Sequence, residues 1–107
     1  MQYLLLIHEN EKRFSKGFPE AELAEYRAFG KQFAGAIKGG NALQPTDSAA
    51  TVRVRDGKVL PTDGPFAETK EQLGGYYLVE ARDREESIAM AAKIPAAGFG
   101  SVEVARS

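Results

Sequence analysis

His8 is the single histidine of the chain and the side chain best suited to proton transfer near neutral pH. A neighbouring carboxylate would orient its ring as a general base, and Asp63 and Glu68 are the two candidates for that partner. His8 follows the apolar run Tyr3–Ile7, so strand alternation directs its side chain to the same side as Leu4. We therefore predict that His8 and Asp63 carry out acid–base catalysis. The alternative is that His8 is a partly exposed residue at a strand end without a catalytic role.

Four other side chains are candidates for binding a small molecule, namely Arg53, Glu68, Lys70 and Tyr76. Glu68 and Lys70 belong to a charged segment that also fits a solvated turn, because residues two apart on a helix do not face each other. Tyr76 and Tyr77 point to opposite faces of a strand. One of these rings can therefore pack in the core while the other offers its hydroxyl to a ligand.

The segment Asp63–Phe66 has two interpretations. Aspartate begins turns by accepting hydrogen bonds from backbone N–H groups two residues on, and the following Gly and Pro fix the geometry. A fixed loop is also a good place for a positioned carboxylate. Both roles stay open for Asp63.

The composition excludes several classes of function. One histidine and no cysteine give no set of zinc ligands, and no glycine-rich loop opens a helix to hold phosphate, so we expect no metal and no cofactor. Fourteen basic and fifteen acidic residues leave no positive excess for binding nucleic acid or a membrane surface. The five apolar residues Tyr3–Ile7 are too few for a signal peptide or a membrane span. The absence of cysteine fits a cytoplasmic protein.

The order of elements is predicted from periodicity and from turn residues. Tyr3–Ile7 is continuously apolar, as in a strand covered on both faces. Apolar residues at three- and four-residue spacing predict a helix from Pro19 to Lys38, which Gly39-Gly40 would end. Thr51–Arg55 alternates as a strand, and the turn Asp56-Gly57 predicts a hairpin.

The second half of the chain repeats this alternation of strand and helix. Val59 and Leu60 would form a short return strand, after which the Pro- and Gly-rich stretch up to Phe66 predicts irregular structure. Gly74–Ala81 reads as a long strand. Asp83 caps a second helix whose apolar face contains Ile88, Ala91, Ala92 and Ile94, and Pro95 ends it. A last strand, Ser101–Ala105, closes the chain.

These elements predict a single domain, residues 1–107, of the α+β class. A strand at each end and two helices between strands are typical of a ferredoxin-like antiparallel sheet with both helices on one face. The other face keeps the apolar residues of the strands near Leu5 and Tyr77, and nothing in the chain is left to cover it. Large exposed apolar patches are rare on monomers, so we predict a homodimer that pairs these faces.

A long internal segment resembles a known signature. Asp63-Gly64-Pro65-Phe66-Ala67-Glu68-Thr69-Lys70-Glu71, followed by Leu73-Gly74-Gly75-Tyr76-Tyr77, is similar to the signature of the DGPF branch of the YCII-related family. The beginning of the chain and the stretch around Pro95 and Phe99-Gly100 look similar too. The resemblance implies a dimeric α+β barrel, a functional link to sigma factors, and relatives that act as small-molecule enzymes.

One departure from the broader family bears on mechanism. The resemblance would place the histidine of a His–Asp pair on the first helix, but Pro19–Lys38 contains neither residue. That pair therefore cannot be transferred to this chain. Two functions remain: a cofactor-independent small-molecule enzyme using His8 and Asp63, or a non-catalytic ligand-binding or regulatory module associated with sigma-factor systems.

Overall fold

A computed structural model of the chain describes all 107 residues. The strands and helices follow in chain order: β1 (Gln2–Glu9), α1 (Glu20–Gln32), β2 (Ile37–Ala42), β3 (Ala50–Arg55), β4 (Lys58–Asp63), β5 (Gln72–Glu80), α2 (Arg84–Ala91) and β6 (Ser101–Arg106). Short 3₁₀ turns lie at Glu11–Phe14, Thr46–Ser48 and Pro95–Gly98.

Four strands form one antiparallel sheet in the order β2-β5-β1-β6. Strands β3 and β4 pair only with each other, as a separate hairpin inserted between β2 and β5. The central order, with a helix after β1 and another after β5, is the ferredoxin-like α+β arrangement that the sequence predicts.

The core lies on one face of the sheet. Alternate residues of β1, namely Tyr3, Leu5 and Ile7, are buried there. Phe29 of α1 and Met90 of α2 belong to the same core cluster, so both helices cover this face. The intervening side chains of β1 point to the opposite face, which carries no helix and which we call the open face. The predicted layering is therefore confirmed.

The first helix is shorter than the sequence suggested. It ends at Gln32 and a turn leads into β2, whereas the prediction of a helix to Lys38 that Gly39-Gly40 would end is wrong. Phe33 and Ile37 keep helical spacing, but Ile37 pairs with Val79 of β5. Gly40 permits close strand packing instead: a Cβ there would lie 2.6 Å from the carbonyl oxygen of Tyr76.

The hairpin turn is confirmed, and its second strand is longer than expected. Asp56 and Gly57 have φ of 52° and 73°, as a type I′ turn requires. Strand β4 continues through Pro61 to Asp63, where irregular structure was predicted. Both strands of a two-stranded ribbon are edges, so a proline without an N–H is tolerated there. The hairpin leaves Val52 and its apolar neighbours exposed.

Helix α2 begins as predicted. The Asp83 carboxylate accepts a hydrogen bond of 2.8 Å from the Glu86 N–H, which satisfies one of the free donors of the first turn. The predicted apolar face is confirmed in part: Ala91 and Ile94 are buried, whereas Ile88 is 40% exposed and Ala92 is exposed. Ser87 and Met90 complete the buried face. Neither α1 nor α2 is long and apolar enough to cross a membrane.

Gly40→Ala tests the assignment of residues 37–42 to the sheet. We expect the added methyl to force β2 away from Tyr76 and to lower the free energy of unfolding by about 1–3 kcal/mol, measured by urea denaturation. Gly39→Ala is the matched control, because a Cβ there meets nothing within 4 Å. Equal effects of the two substitutions would contradict the close contact between β2 and β5.

Candidate functional site

A groove of about 1080 Å³ opens beside the open face of the sheet. The strand ends form its floor, and two connecting segments, 43–50 and 65–72, form its walls. Its charged and hydroxyl-bearing lining residues are His8, Thr46, Ser48, Thr69, Lys70, Glu71, Ser101 and Glu103. Ligand pockets typically enclose about 300–1,000 Å³, so the groove has room for a small molecule.

His8 and Glu103 form a pair on the floor of the groove. Strands β1 and β6 place Leu6 opposite Glu103 and His8 opposite Ser101, so these side chains share the open face. The His8 Nε2 atom lies 3.1 Å from Glu103 Oε1. When Glu103 accepts from Nε2–H, the Nδ1 atom carries the free lone pair and can take a proton from a ligand.

The position of His8 depends on backbone packing at the end of β1. The β1–β5 register shifts between Ile7 and His8, so His8 lies opposite Leu73. On the other side, a Cβ on Gly100 would overlap the His8 carbonyl oxygen, so β6 can approach this closely only with glycine there. The Ser101 hydroxyl then donates to Glu71 Oε1 at 2.8 Å, which ties β6 to the wall of the groove.

Glu11 holds one wall of the groove in place. Its carboxylate accepts a hydrogen bond of 2.9 Å from the Thr46 N–H and one of 2.6 Å from the Thr46 hydroxyl. The Glu11 N–H donates to Gln72 Oε1 at 3.0 Å. A single residue after β1 therefore links the segment 43–50 to the start of β5.

The other wall is the Asp63–Phe66 loop and the residues after it. The Gly64 N–H donates to the Ala49 carbonyl at 2.7 Å, which fixes the loop against the start of β3. The Asp63 carboxylate is exposed and makes no hydrogen bond. The Phe66 ring is 81% exposed and lines the groove, and the Arg53 guanidinium lies 5.9 Å from its centroid.

The predicted site residues are thus divided among several places. His8 and Lys70 line the groove. Arg53 does not line it, but its guanidinium lies near the Phe66 ring, which does. Asp63 and Glu68 do not line it, and the carboxylate beside His8 belongs to Glu103.

Tyr76 lines a second cavity, where its hydroxyl accepts a hydrogen bond of 3.4 Å from the Asn41 side chain. The neighbouring Tyr77 packs against Phe29 with ring centroids 5.0 Å apart, so the two tyrosines take opposite faces as predicted. Burial raises the pKa of Tyr77.

Sequence analysis did not identify Glu103 and Glu71 as groove residues. Strand alternation indicates that a side chain faces outward, but it does not reveal which strand lies next to it.

No group of three or more His, Cys, Asp or Glu side chains is arranged to hold a metal ion. What the groove offers is a histidine–carboxylate pair, a lysine ammonium and apolar walls. This set can accept and return a proton on a bound organic molecule.

The sheet order and the groove define a ferredoxin-like α+β domain, the protomer architecture of dimeric α+β barrels. The model of the YCII-related domain matches residues 1–106, and the chain belongs to this family. It is 36% identical to "Uncharacterized protein R00369" of Rhizobium meliloti (strain 1021), over 97% of this chain and 90% of that protein.

A solved structure shares the fold. It is the 5-chloro-2-hydroxyhydroquinone dehydrochlorinase of Burkholderia phenoliruptrix AC1100 in complex with 2,5-dihydroxybenzoquinone. The TM-score is 0.51 and the identity is 15%, with 100% of this chain and 93% of that chain covered.

Glu11→Ala should loosen the wall at Thr46. The Thr46 N–H has no other hydrogen-bond acceptor, so we expect its hydrogen exchange to accelerate by about tenfold or more, measured by NMR. Glu25→Ala on the exposed side of α1 is the control and should leave Thr46 exchange unchanged. Unchanged Thr46 exchange in Glu11→Ala would show that Glu11 does not anchor this wall.

Proposed function

We propose that the domain is a cofactor-independent enzyme acting on a small hydroxylated ring compound bound in the groove. The observation that carries this proposal is the His8–Glu103 pair, with Nε2 and Oε1 3.1 Å apart on the groove floor. Glu103 orients the imidazole, and His8 takes a proton from a ligand hydroxyl and passes it to a ring carbon. On a chlorinated hydroxyhydroquinone, loss of a second hydroxyl proton then breaks the C–Cl bond and releases chloride and a hydroxyquinone. This proton transfer requires no metal or redox group.

The walls of the groove suit an aromatic or quinonoid ring. Phe66, Leu43, Leu73 and Pro65 offer apolar surface, and Lys70 offers a cation for a phenolate oxygen. The dehydrochlorinase of the same fold is named for a chlorinated hydroxyhydroquinone and holds 2,5-dihydroxybenzoquinone. That likeness supports the substrate class.

A binding or regulatory module without catalysis is the second candidate. The exposure of the pair supports it, because the side chains of His8 and Glu103 are 30% and 63% exposed. Catalytic groups usually work in sites that exclude water more fully. A link to a sigma factor would belong to this second candidate, and it stays a prediction, as does a cytoplasmic location.

His8→Asn separates the two candidates. For an enzyme, chloride release from 5-chloro-2-hydroxyhydroquinone should fall by about 10²–10⁴-fold. Binding of 2,5-dihydroxybenzoquinone, measured by calorimetry, should change far less. Asp56→Asn at the hairpin tip is the control and should alter neither. Binding without wild-type turnover would support the module, and absence of both wild-type binding and turnover would refute the proposed enzyme and its substrate class.

We also propose that a second copy covers the open face. The chain exposes 7376 Å², whereas a compact monomer of this mass exposes about 5,800 Å². The excess of about 1,500 Å² exceeds the roughly 800 Å² that each partner buries in a standard interface. Leu4, Leu6 and Leu78 supply apolar area on this face. The groove borders the same face, so a partner copy would help to enclose it.

Leu6→Asp tests this assembly by placing a charge on the open face. We expect sedimentation equilibrium at micromolar concentration to give twice the chain mass for the wild type and the single chain mass for the variant. Ile88→Asp on the exposed side of α2 is the control and should leave the dimer intact. A folded wild type with the mass of a single chain would refute the dimer.

A further inference from the structure

A second cavity, of about 710 Å³, lies on the helix-covered side of the sheet. It is bounded by the ends of β1 and β5, by α1 and by the turn Glu11–Phe14. Ile7 and Glu9 of β1, Tyr26 of α1 and Tyr77 of β5 line it. The groove and this cavity share only the wall residues Leu43, Gln44 and Gln72. The acid–base pair of the groove is absent from its lining, so the cavity needs its own explanation.

Glu9 lines the cavity and shares one cation, Arg13, with a second buried carboxylate, Glu22. Glu9 and Glu22 are 5% and 6% exposed, and the Oε2 atom of each is buried without a hydrogen-bond partner. Arg13 Nη2 lies 2.8 Å from Glu22 Oε1, whereas Arg13 Nη1 is 3.8 Å from Glu9 Oε2, too far for a hydrogen bond. One buried negative charge is therefore left uncompensated, which is costly.

The local electrostatics favour neutralisation of Glu9. Burial raises the pKa of Glu9 above its ordinary value of 4.5, and the Glu22 and Glu71 carboxylates add to this rise. Arg13 opposes it only in part. Burial and the nearby carboxylates also raise the pKa of Tyr26, which consequently stays a neutral hydroxyl. A proton or a bound cation would relieve the same charge.

Aromatic rings line the same cavity as Glu9. Phe14 and Phe18 stack with centroids 4.6 Å apart, and Phe18 lies 5.9 Å from Tyr26 in a tilted arrangement. All three line the cavity, together with Tyr77. Ring faces attract organic cations, and a buried carboxylate supplies the opposite charge. A metal ion would want more oxygen ligands, and no group of three acidic or histidine side chains converges here.

We propose that this cavity binds a small organic cation, with a primary ammonium group against the Glu9 carboxylate and an apolar body between the rings. The ammonium donates hydrogen bonds to this carboxylate and balances its charge. This site does not depend on the function proposed for the groove, because neither His8 nor Glu103 takes part.

Calorimetry with benzylammonium tests the proposal, and benzyl alcohol serves as the neutral probe of equal shape. We expect the wild type to bind the cation at least about tenfold more tightly than the alcohol, and Glu9→Gln to remove that preference. Glu25→Gln, at an exposed site on α1, is the matched control. Equal affinity for both probes, or a preference that survives Glu9→Gln, would overturn the proposal. So would a preference lost in His8→Asn, which would place the binding in the groove.

The pH dependence of benzylammonium binding to the wild type is a second test of the role of Glu9. Arg13, Glu22, Glu71 and Tyr26 are the charged and titratable groups that face Glu9 from the neighbouring elements. Protonated Glu9 carries no charge, so affinity for benzylammonium should rise as the pH increases through the raised pKa of Glu9. An affinity independent of pH, from below 4.5 to neutrality, would also overturn the proposal.

Discussion

The two-residue alternation of β1 is the constraint on which both sites depend. β1 lies inside the sheet, paired with β5 on one edge and β6 on the other, so its register is fixed twice. Burial of Leu5 against the helices sends His8 to the open face and Glu9 to the helix-covered face. A register shift of one residue would exchange the faces of His8 and Glu9 and expose the core. The packing that stabilises the fold therefore also keeps these two side chains on opposite faces of the sheet.

The chemical groups and the walls around them come from different kinds of element. His8, Glu9 and Glu103 belong to strands, where ladder hydrogen bonds fix the backbone. The Asp63–Phe66 loop carries the family resemblance but brings no charged group to the groove floor. It contributes the Phe66 ring, and Gly64 fastens it to Ala49. A signature segment can therefore shape the wall of a groove while the histidine–carboxylate pair of that groove lies elsewhere.

Sequence analysis predicted the features that local chemistry determines. The apolar run of β1, the Asp56-Gly57 turn and the Asp83 cap each follow from a few adjacent residues. Strand β2 was missed because Ile37 continues the helical spacing and Gly39-Gly40 is typical of a helix end. The assignment of these residues to β2 depends on β5, which approaches so closely that no side chain fits at Gly40.

The same distinction applies to the site. Glu103 lies 95 positions after His8, and their contact depends on the register between β1 and β6. Alternation indicates that each side chain faces outward, but many registers satisfy that pattern. The partner of a single histidine is therefore a tertiary property, which the residue types near the signature segment could not supply.

The two sites should differ in their relation to assembly, for a reason visible in the fold. The chain has a radius of gyration of 15.5 Å, against about 13 Å for a compact domain of this length, because the β3–β4 hairpin and the open face are not packed against other elements. A partner that covers the open face would add a wall to the groove, so groove affinity would be linked to protein concentration. The cavity at Glu9 is formed within one chain, beneath its own helix. Its ligand would bind monomer and dimer alike.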